Sequence, residues 1–397
     1  MTTTHSTPFD HRDSTVSPGD VRAAYEDMRE KCPVAHSDRY GGFDFISRYT
    51  DVKQALGESD KFSSAEGVTI PASGLPPTAA LEFDEPEHSA WRDVLNKPLT
   101  LKAVKAFEPT LIEIADLLID EFAQDGTADL VRQFTQPMPA IVVGRMVGLD
   151  QALSVEALHI ADRLFASIGT AEFEGNFIEF ANFTNKQLED RRTSPRDDFL
   201  SQIASGVVEG MQLDDTAATG LLAAYLIGGH HSTTSGLSGL IHHALTIDGL
   251  KDTLVNQPSM LPRAIEESLR LTTPLQLFAR TTRCPVTVAD QELPEGERVL
   301  LNLAAANRDP RQFEQPQQFD LDRSRNPHLA FGSGIHVCQG QHLARAELRV
   351  AFTRLLDRLP DIRLQGSAIE TGLIGGSLMT TQSLPVVFTP EAPAGLG

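Results

Sequence analysis

Residues 331–340 read FGSGIHVCQG and place a cysteine in a glycine-rich turn. A helix follows at once, since Leu348, Phe352, Leu355 and Leu359 recur at helical spacing over Gln341–Leu359 and Pro360 closes it. A thiol that serves as a metal ligand must be deprotonated, and amide N–H groups aimed at the sulfur tune it. The partly positive start of the helix after Cys338 favours the thiolate. Gly332, Gly334 and Gly340 permit close approach and unusual backbone angles, and Phe331 shields the sulfur side from water. The same run also fits a buried structural cysteine in a tight turn, because free cysteines are commonly buried.

The rest of the chain narrows the choice. Only three cysteines occur in 397 residues, too few and too far apart for a disulfide framework. No Cys-x-x-Cys pair points to a zinc ribbon, and no Cys-x-x-Cys-His to covalent haem attachment. The net charge of −20 disfavours nucleic acid or an anionic membrane as partner. The polar N-terminus lacks the apolar segment of a signal peptide, and no run approaches a membrane span, so a cytoplasmic protein is expected.

Helical patterns dominate from Val21 onward. Thr110–Phe122 sets Leu111, Ile114, Leu118 and Phe122 on one side. Strand-like runs are few: Val286–Ala289 and Arg298–Asn302 flank a segment with turn chemistry. Ser64–Ala80, rich in proline and glycine, reads as a long loop. The expectation is a mainly α chain with a small β part: a flexible tail over residues 1–20, then a single domain over 21–397.

Phe331, Gly334, Cys338 and Gly340 fit F-x-x-G-x-x-x-C-x-G, with His336 inside it. This resembles the haem-ligand loop of the cytochrome P-450 family, and the resemblance implies that fold and a haem b whose iron Cys338 ligates. Other stretches agree in order. Glu267-x-x-Arg270 precedes Asn307–Arg323, which resembles the family's meander and makes Arg323 the third member of a structural network. In DEPEHSAWR, His88 and Arg92 lie four apart on one helix face. The resemblance assigns them to the haem propionates, together with Arg280 and His336; cationic donors suit carboxylates. Phe331, Gly332 and Gly340 complete the implied cofactor contacts.

The segment LLAAYLIGGHHSTTSGLSGL (221–240) resembles the family's central helix but departs from its signature. Aligned on Gly228-Gly229, His231 stands where an acid is usual and Ser232 where threonine is usual, with Thr233 next. The resemblance gives these three the proton relay of catalysis. A histidine titrates near neutrality and can deliver protons, but it can equally point away and satisfy a carbonyl. A metal site from His230, His231, His242 and His243 is not expected, because adjacent histidines on a helix point apart.

The family's chemistry implies a monooxygenase that takes one atom of O2 into a small hydrophobic substrate, aromatic or terpenoid-like, by hydroxylation or O-dealkylation. Two alternatives stand beside it: a peroxide-driven peroxygenase and a non-catalytic haem sensor. Phe173 and Phe177, Leu275, Phe278, Gly228 and Leu378 fall where the family lines its pocket, although a phenylalanine stripe at helical spacing also suits an ordinary core. No flavin or iron–sulfur module is evident, so electrons are expected from a ferredoxin or flavodoxin with its NAD(P)H reductase, docking near positive charge from Arg345 and Arg349.

Overall fold

A computed structural model of the chain describes residues 6–74 and 76–391. Its largest apolar core is built by helices that each turn one stripe inward. In Leu261–Thr272, Pro262 starts the helix and Ala264, Ile265, Leu269 and Leu271 are buried, with Glu267 and Arg270 buried among them. Against it lies His231–Thr246, the second half of the central helix, and behind that Gln341–Arg358, which also packs along Leu101–Asp120. Burying each large aliphatic side chain of this core stabilises the fold by about 1.5–3 kcal/mol.

The β part is a five-stranded sheet in the order Val34–Ser37, Phe43–Ile46, Arg298–Asn302, Leu277–Thr282, Phe62–Ser63. The second and third strands run parallel, with Val299 opposite Asp44, and the other pairs are antiparallel, with Val299 opposite Arg280. Side chains alternate between faces. Phe43, Phe45, Leu277, Ala279 and Leu300 join one apolar cluster, and Ile46, Val299, Leu301 and Phe278 join another. Arg280 therefore shares a face with Phe278.

Three expectations need correction. The helix expected over Thr110–Phe122 runs from Leu101 to Asp120: Thr100 caps it by accepting from the Ala103 N–H at 3.2 Å, and Pro109 sits inside it. The segment after Val286–Val288 is not all turn, because Gln291–Leu293 pairs back on that strand. The tail expected over residues 1–20 is packed from Ser6 onward, while residues 1–5 lie outside the described residues. Phe9 and His11 are buried, the His11 ring meets the Ile70 carbonyl at 2.7 Å, and Arg12 donates to the Gly375 carbonyl at 2.6 Å. Pro18–Lys31 is already helical. Among the described residues, no single helix is long and apolar enough to cross a membrane.

Two buried histidines give the fold a pH dependence. Burial, with Arg12 adding to it, pushes His11 down to about 4 against the opposing Ile70 carbonyl. Burial, with His242 and Arg308, pushes His243 down to about 3. Both are neutral when folded, whereas in the unfolded chain they titrate near ~6.5. Below that value the unfolded state binds more protons, so stability is complete above pH ~6.5 and falls on acidification, by up to about 1.4 kcal/mol per pH unit for each ring. The urea midpoint is expected to drop between pH 7 and pH 5, with a shallower drop in His243→Asn. A flat profile in the wild-type chain contradicts this account.

Candidate functional site

Cys338 lies between a short 3-10 turn, Gly334–His336, and the helix Gln341–Arg358. Its N–H donates to the Phe331 carbonyl at 2.8 Å, which closes the loop on itself. Gly332 and Gly334 both have φ of +71°, so their glycine character is required. At Gly334 a Cβ would also overlap the Leu56 carbonyl. Gly340 differs from expectation: its φ is −75°, open to any residue. What it contributes is its N–H, which with that of Gln341 hydrogen-bonds the Cys338 sulfur. Burial pushes the Cys338 thiol up; these two amides and the cations Arg92 and Arg345 pull the other way. The site is thus built to favour sulfur as an anion once a metal compensates for burial. Phe331 stacks under the Arg345 guanidinium at 4.4 Å.

Beside the loop lies a group of basic side chains, two of which keep a buried ring nitrogen without a partner. His88, on the helix Glu87–Asn96, has Nδ1 3.1 Å from Glu85, while its buried Nε2 has no partner. His336 packs against it with ring centroids 4.5 Å apart; its Nε2 meets Ser64 Oγ at 3.2 Å and its buried Nδ1 has no partner. Burial, reinforced by Arg280 and His88, pushes His336 down to about 3. Arg280 is 3% exposed, yet the hydrogen bond recorded for its guanidinium goes to the neighbouring Ala279 carbonyl, at 2.8 Å. Burial pulls its pKa down to about 10. Arg92 donates to the Val337 carbonyl at 2.7 Å, and Gln339, unforeseen in the sequence, donates to the Arg92 carbonyl at 2.6 Å. Buried polar groups are ordinarily satisfied. This cluster needs anionic acceptors, and a cofactor carrying two carboxylates supplies them.

The loop is held from behind. Arg270 donates to Glu267 at 2.8 and 2.7 Å, and Arg323 Nε lies 3.1 Å from the same carboxylate. Arg270 also donates to the carbonyls of Asn307, Pro316 and Gln318. The Asp320 N–H and Asn326 add to Glu267, and Asn307 Oδ1 accepts from the Leu329 N–H at 2.6 Å, two residues before Phe331. Burial raises Glu267, but the Arg270 contacts, Asp320 and Arg323 outweigh it and hold the carboxyl below its ordinary value. The positive charge expected from Arg345 and Arg349 is already matched: Arg345 pairs with Glu266 at 2.7 Å and Arg349 with Glu108 at 2.8 Å.

The central helix is broken. Asp215–Leu226 and His231–Thr246 flank residues 227–230, where the regular bonding pattern lapses. A Cβ on Gly228 would overlap the Ala224 carbonyl, and one on Gly229 would lie 2.6 Å from Val143 Cγ2. Ser232 Oγ reaches back to the Gly228 carbonyl at 3.5 Å, a weak contact, and Thr233 is buried. His231 opens the second half. Its Nε2 is 2.9 Å from Asp162 Oδ1, and its ring stacks on Phe165 at 4.7 Å. Asp162, on the helix Gln151–Ser167, is the functional candidate that sequence reasoning missed. The expectation that neighbouring histidines point apart fails here: the break holds the His230 and His231 rings 4.5 Å apart.

The pocket candidates fall in three places. Phe173 and Phe177 stack in parallel at 6.5 Å on the helix Phe173–Thr193, half-buried, with Phe173 over Gly74 of the long loop. Leu275 bridges Leu378, which is buried in the C-terminal turn. Phe278 lies apart from both, on the sheet face it shares with Arg280.

Comparison with known proteins agrees with this geometry. The cytochrome P-450 family model matches residues 249–384. The steroid C26-monooxygenase of Mycobacterium tuberculosis (strain ATCC 25618 / H37Rv) is 35% identical over 384 residues, covering 95% of this chain and 96% of that protein. The solved structure of the Mycobacterium marinum cytochrome CYP268A2 in complex with pseudoionone superposes with a TM-score of 0.88 at 25% identity, covering 98% of this chain and 100% of that one. CYP109E1 from Bacillus megaterium in complex with testosterone gives 0.83 at 28% identity, covering 92% and 97%.

Proposed function

The chain belongs to the cytochrome P-450 family and is a monooxygenase-type oxidoreductase with a cysteine-ligated protoporphyrin IX iron; from that premise we propose that it oxidises a C–H bond of an apolar substrate of steroid or terpenoid kind. The observation that carries the reading is the pairing of a sulfur under two amide N–H groups with a cluster of two arginines and two histidines, each histidine with one buried unpartnered ring nitrogen. Cys338 would ligate the haem iron through its sulfur. His88, Arg92, Arg280 and His336 hold the propionates, and Phe331, Gly332 and Gly340 shape the loop around the sulfur. When bound, the haem supplies activation of O2, with one oxygen atom entering the substrate and the other leaving as water.

The chain's own residues then have defined tasks. Glu267, Arg270 and Arg323 fix the scaffold of the ligand loop. His231 carries protons inward, its orientation set by Asp162, while Ser232 and Thr233 place hydroxyls beside the break. Phe173, Phe177, Leu275 and Leu378 exclude water from the substrate, with Gly228 leaving room. Phe278, on the Arg280 face, borders the cofactor rather than the substrate. Steroid and terpenoid substrates are favoured by the names of the relatives, a steroid C26-monooxygenase and structures holding testosterone or pseudoionone. Electrons come from a ferredoxin or flavodoxin with its NAD(P)H reductase, in the cytoplasm.

A panel of steroids, ionone-type terpenoids and aryl ethers, followed by Soret shift and product analysis, tests the substrate class. A steroid or terpenoid is expected to shift the band and be hydroxylated; turnover confined to aryl ethers would replace the reading with O-dealkylation. In His231→Ala, product formed per electron is expected to fall at least about tenfold, with peroxide released instead. One observation favours a second reading: a histidine, not a carboxylate, stands at the relay position. If hydrogen peroxide alone sustains faster turnover than the ferredoxin system, the chain is a peroxygenase.

A further inference from the structure

Helix Gln151–Ser167 and the break in the central helix bring together one carboxylate and two imidazoles. Asp162 Oδ1 lies 2.9 Å from His231 Nε2 and 3.7 Å from His230 Nδ1. One ligand atom from each of the three residues falls within 4.8 Å of the others. Four-coordinate zinc places its nitrogen and oxygen ligands at about 2.0–2.2 Å, hence roughly 3.3 Å from one another, so modest ring rotations close the set. The decisive residue is His230. It is 2% exposed, neither buried ring nitrogen makes a well-formed hydrogen bond although the Gln136 backbone acts on the ring, and Nδ1 faces the carboxylate. A buried imidazole poorly supplied with partners is unfavourable, and a bound cation removes the penalty.

The surroundings also suit a cation. Gln136 Nε2 donates to Asp162 Oδ2 at 2.9 Å, which fixes the carboxylate and leaves Oδ1 for the histidines. Phe165 stacks on His231 and holds its plane. The Asp162 side chain is 30% exposed, giving an entry path from solvent. His159, one turn earlier on the same helix, is exposed and acts electrostatically on both Asp162 and His230.

We propose that Asp162, His230 and His231 form a binding site for a divalent transition-metal ion of the zinc type, distinct from the haem iron, which ties helix Gln151–Ser167 to the break in the central helix. Two imidazoles and one carboxylate select zinc-like ions over calcium or magnesium, which favour all-oxygen sets. The site is argued from geometry alone, and a bound ion would occupy the His231 Nε2 that the proton-carrying role given above also uses.

The test uses the haem-loaded chain without a polyhistidine tag, stripped with chelator and titrated with zinc chloride by calorimetry. One equivalent per haem is expected, with affinity reduced at least about tenfold in both Asp162→Asn and His230→Ala. An unchanged ferrous–carbon monoxide band in each variant certifies the fold. X-ray absorption at the zinc edge of the wild-type protein provides a second readout, expected to show nitrogen and oxygen neighbours near ~2.0–2.1 Å. Absence of stoichiometric zinc, unaltered affinity in both variants, or a sulfur shell near ~2.3 Å overturns the proposal.

Discussion

Cys338→Ser is expected to abolish the absorption that reduced, carbon monoxide-treated haem shows when thiolate-bound, and to cut turnover by at least about 10³-fold, some 4 kcal/mol of barrier. The substitution keeps the shape of the loop. The backbone bond from position 338 to the Phe331 carbonyl and the amides of Gly340 and Gln341 are untouched. What disappears is the soft, anionic donor: a serine hydroxyl in the same buried place stays protonated and donates little electron density to iron. Haem per chain should fall less than turnover, because the propionate contacts proposed for His88, Arg92, Arg280 and His336 would be unchanged. Measuring haem content, the reduced carbon monoxide spectrum and turnover on one preparation separates ligand loss from cofactor loss. An unaltered spectrum in the serine variant would refute the assignment of the ligand.

The second large effect belongs to the buried pair behind the loop. Arg270→Met strands Glu267, 1% exposed, with Arg323 and Asn326 as its remaining side-chain partners, and takes the donor from the carbonyls of Asn307, Pro316 and Gln318. Removing one member of a buried ion pair typically costs about 3–5 kcal/mol, a large part of the ~5–15 kcal/mol that holds a domain folded. The variant should accumulate as haem-free chain with a lowered denaturation midpoint. Arg270→Lys keeps the charge but not the fork that serves a carboxylate and three carbonyls together, so it should rescue only part of the loss. Glu267→Gln combined with Arg270→Met should cost less than the sum of the single changes, since the Glu267 charge is no longer stranded and Arg323 keeps the Glu314 carbonyl. Additive losses would mean that the pair is not coupled.

The family was legible in the sequence where its patterns are written in consecutive residues. The Cys338 run and the Glu267–Arg270 turn are local patterns, and Arg323 follows within one recognisable stretch. The resemblance placed His88, Arg92, Arg280 and His336, which the fold does gather from three separate stretches of chain. Asp162 was not legible: its helix looks ordinary, and only the folded topology sets it against His231. The packing of residues 6–17 was hidden for the same reason, because a polar segment with one phenylalanine gives no periodic signal while its anchors, Ile70 and Gly375, lie far along the chain. Gln291–Leu293 lacks the β-branched side chains that mark strands, and its pairing is decided by its partner. Arg345 and Arg349 looked free because a sequence does not reveal which acids will neutralise them.

The two glycines at the interruption of the central helix also limit how this enzyme can diversify. A methyl group at position 228 has the Ala224 carbonyl in its way, and one at 229 has Val143. Adaptive change, natural or engineered, is thus barred from the stretch nearest the reacting centre. New selectivity is more readily acquired at the half-buried Phe173–Phe177 pair, which stands away from that backbone.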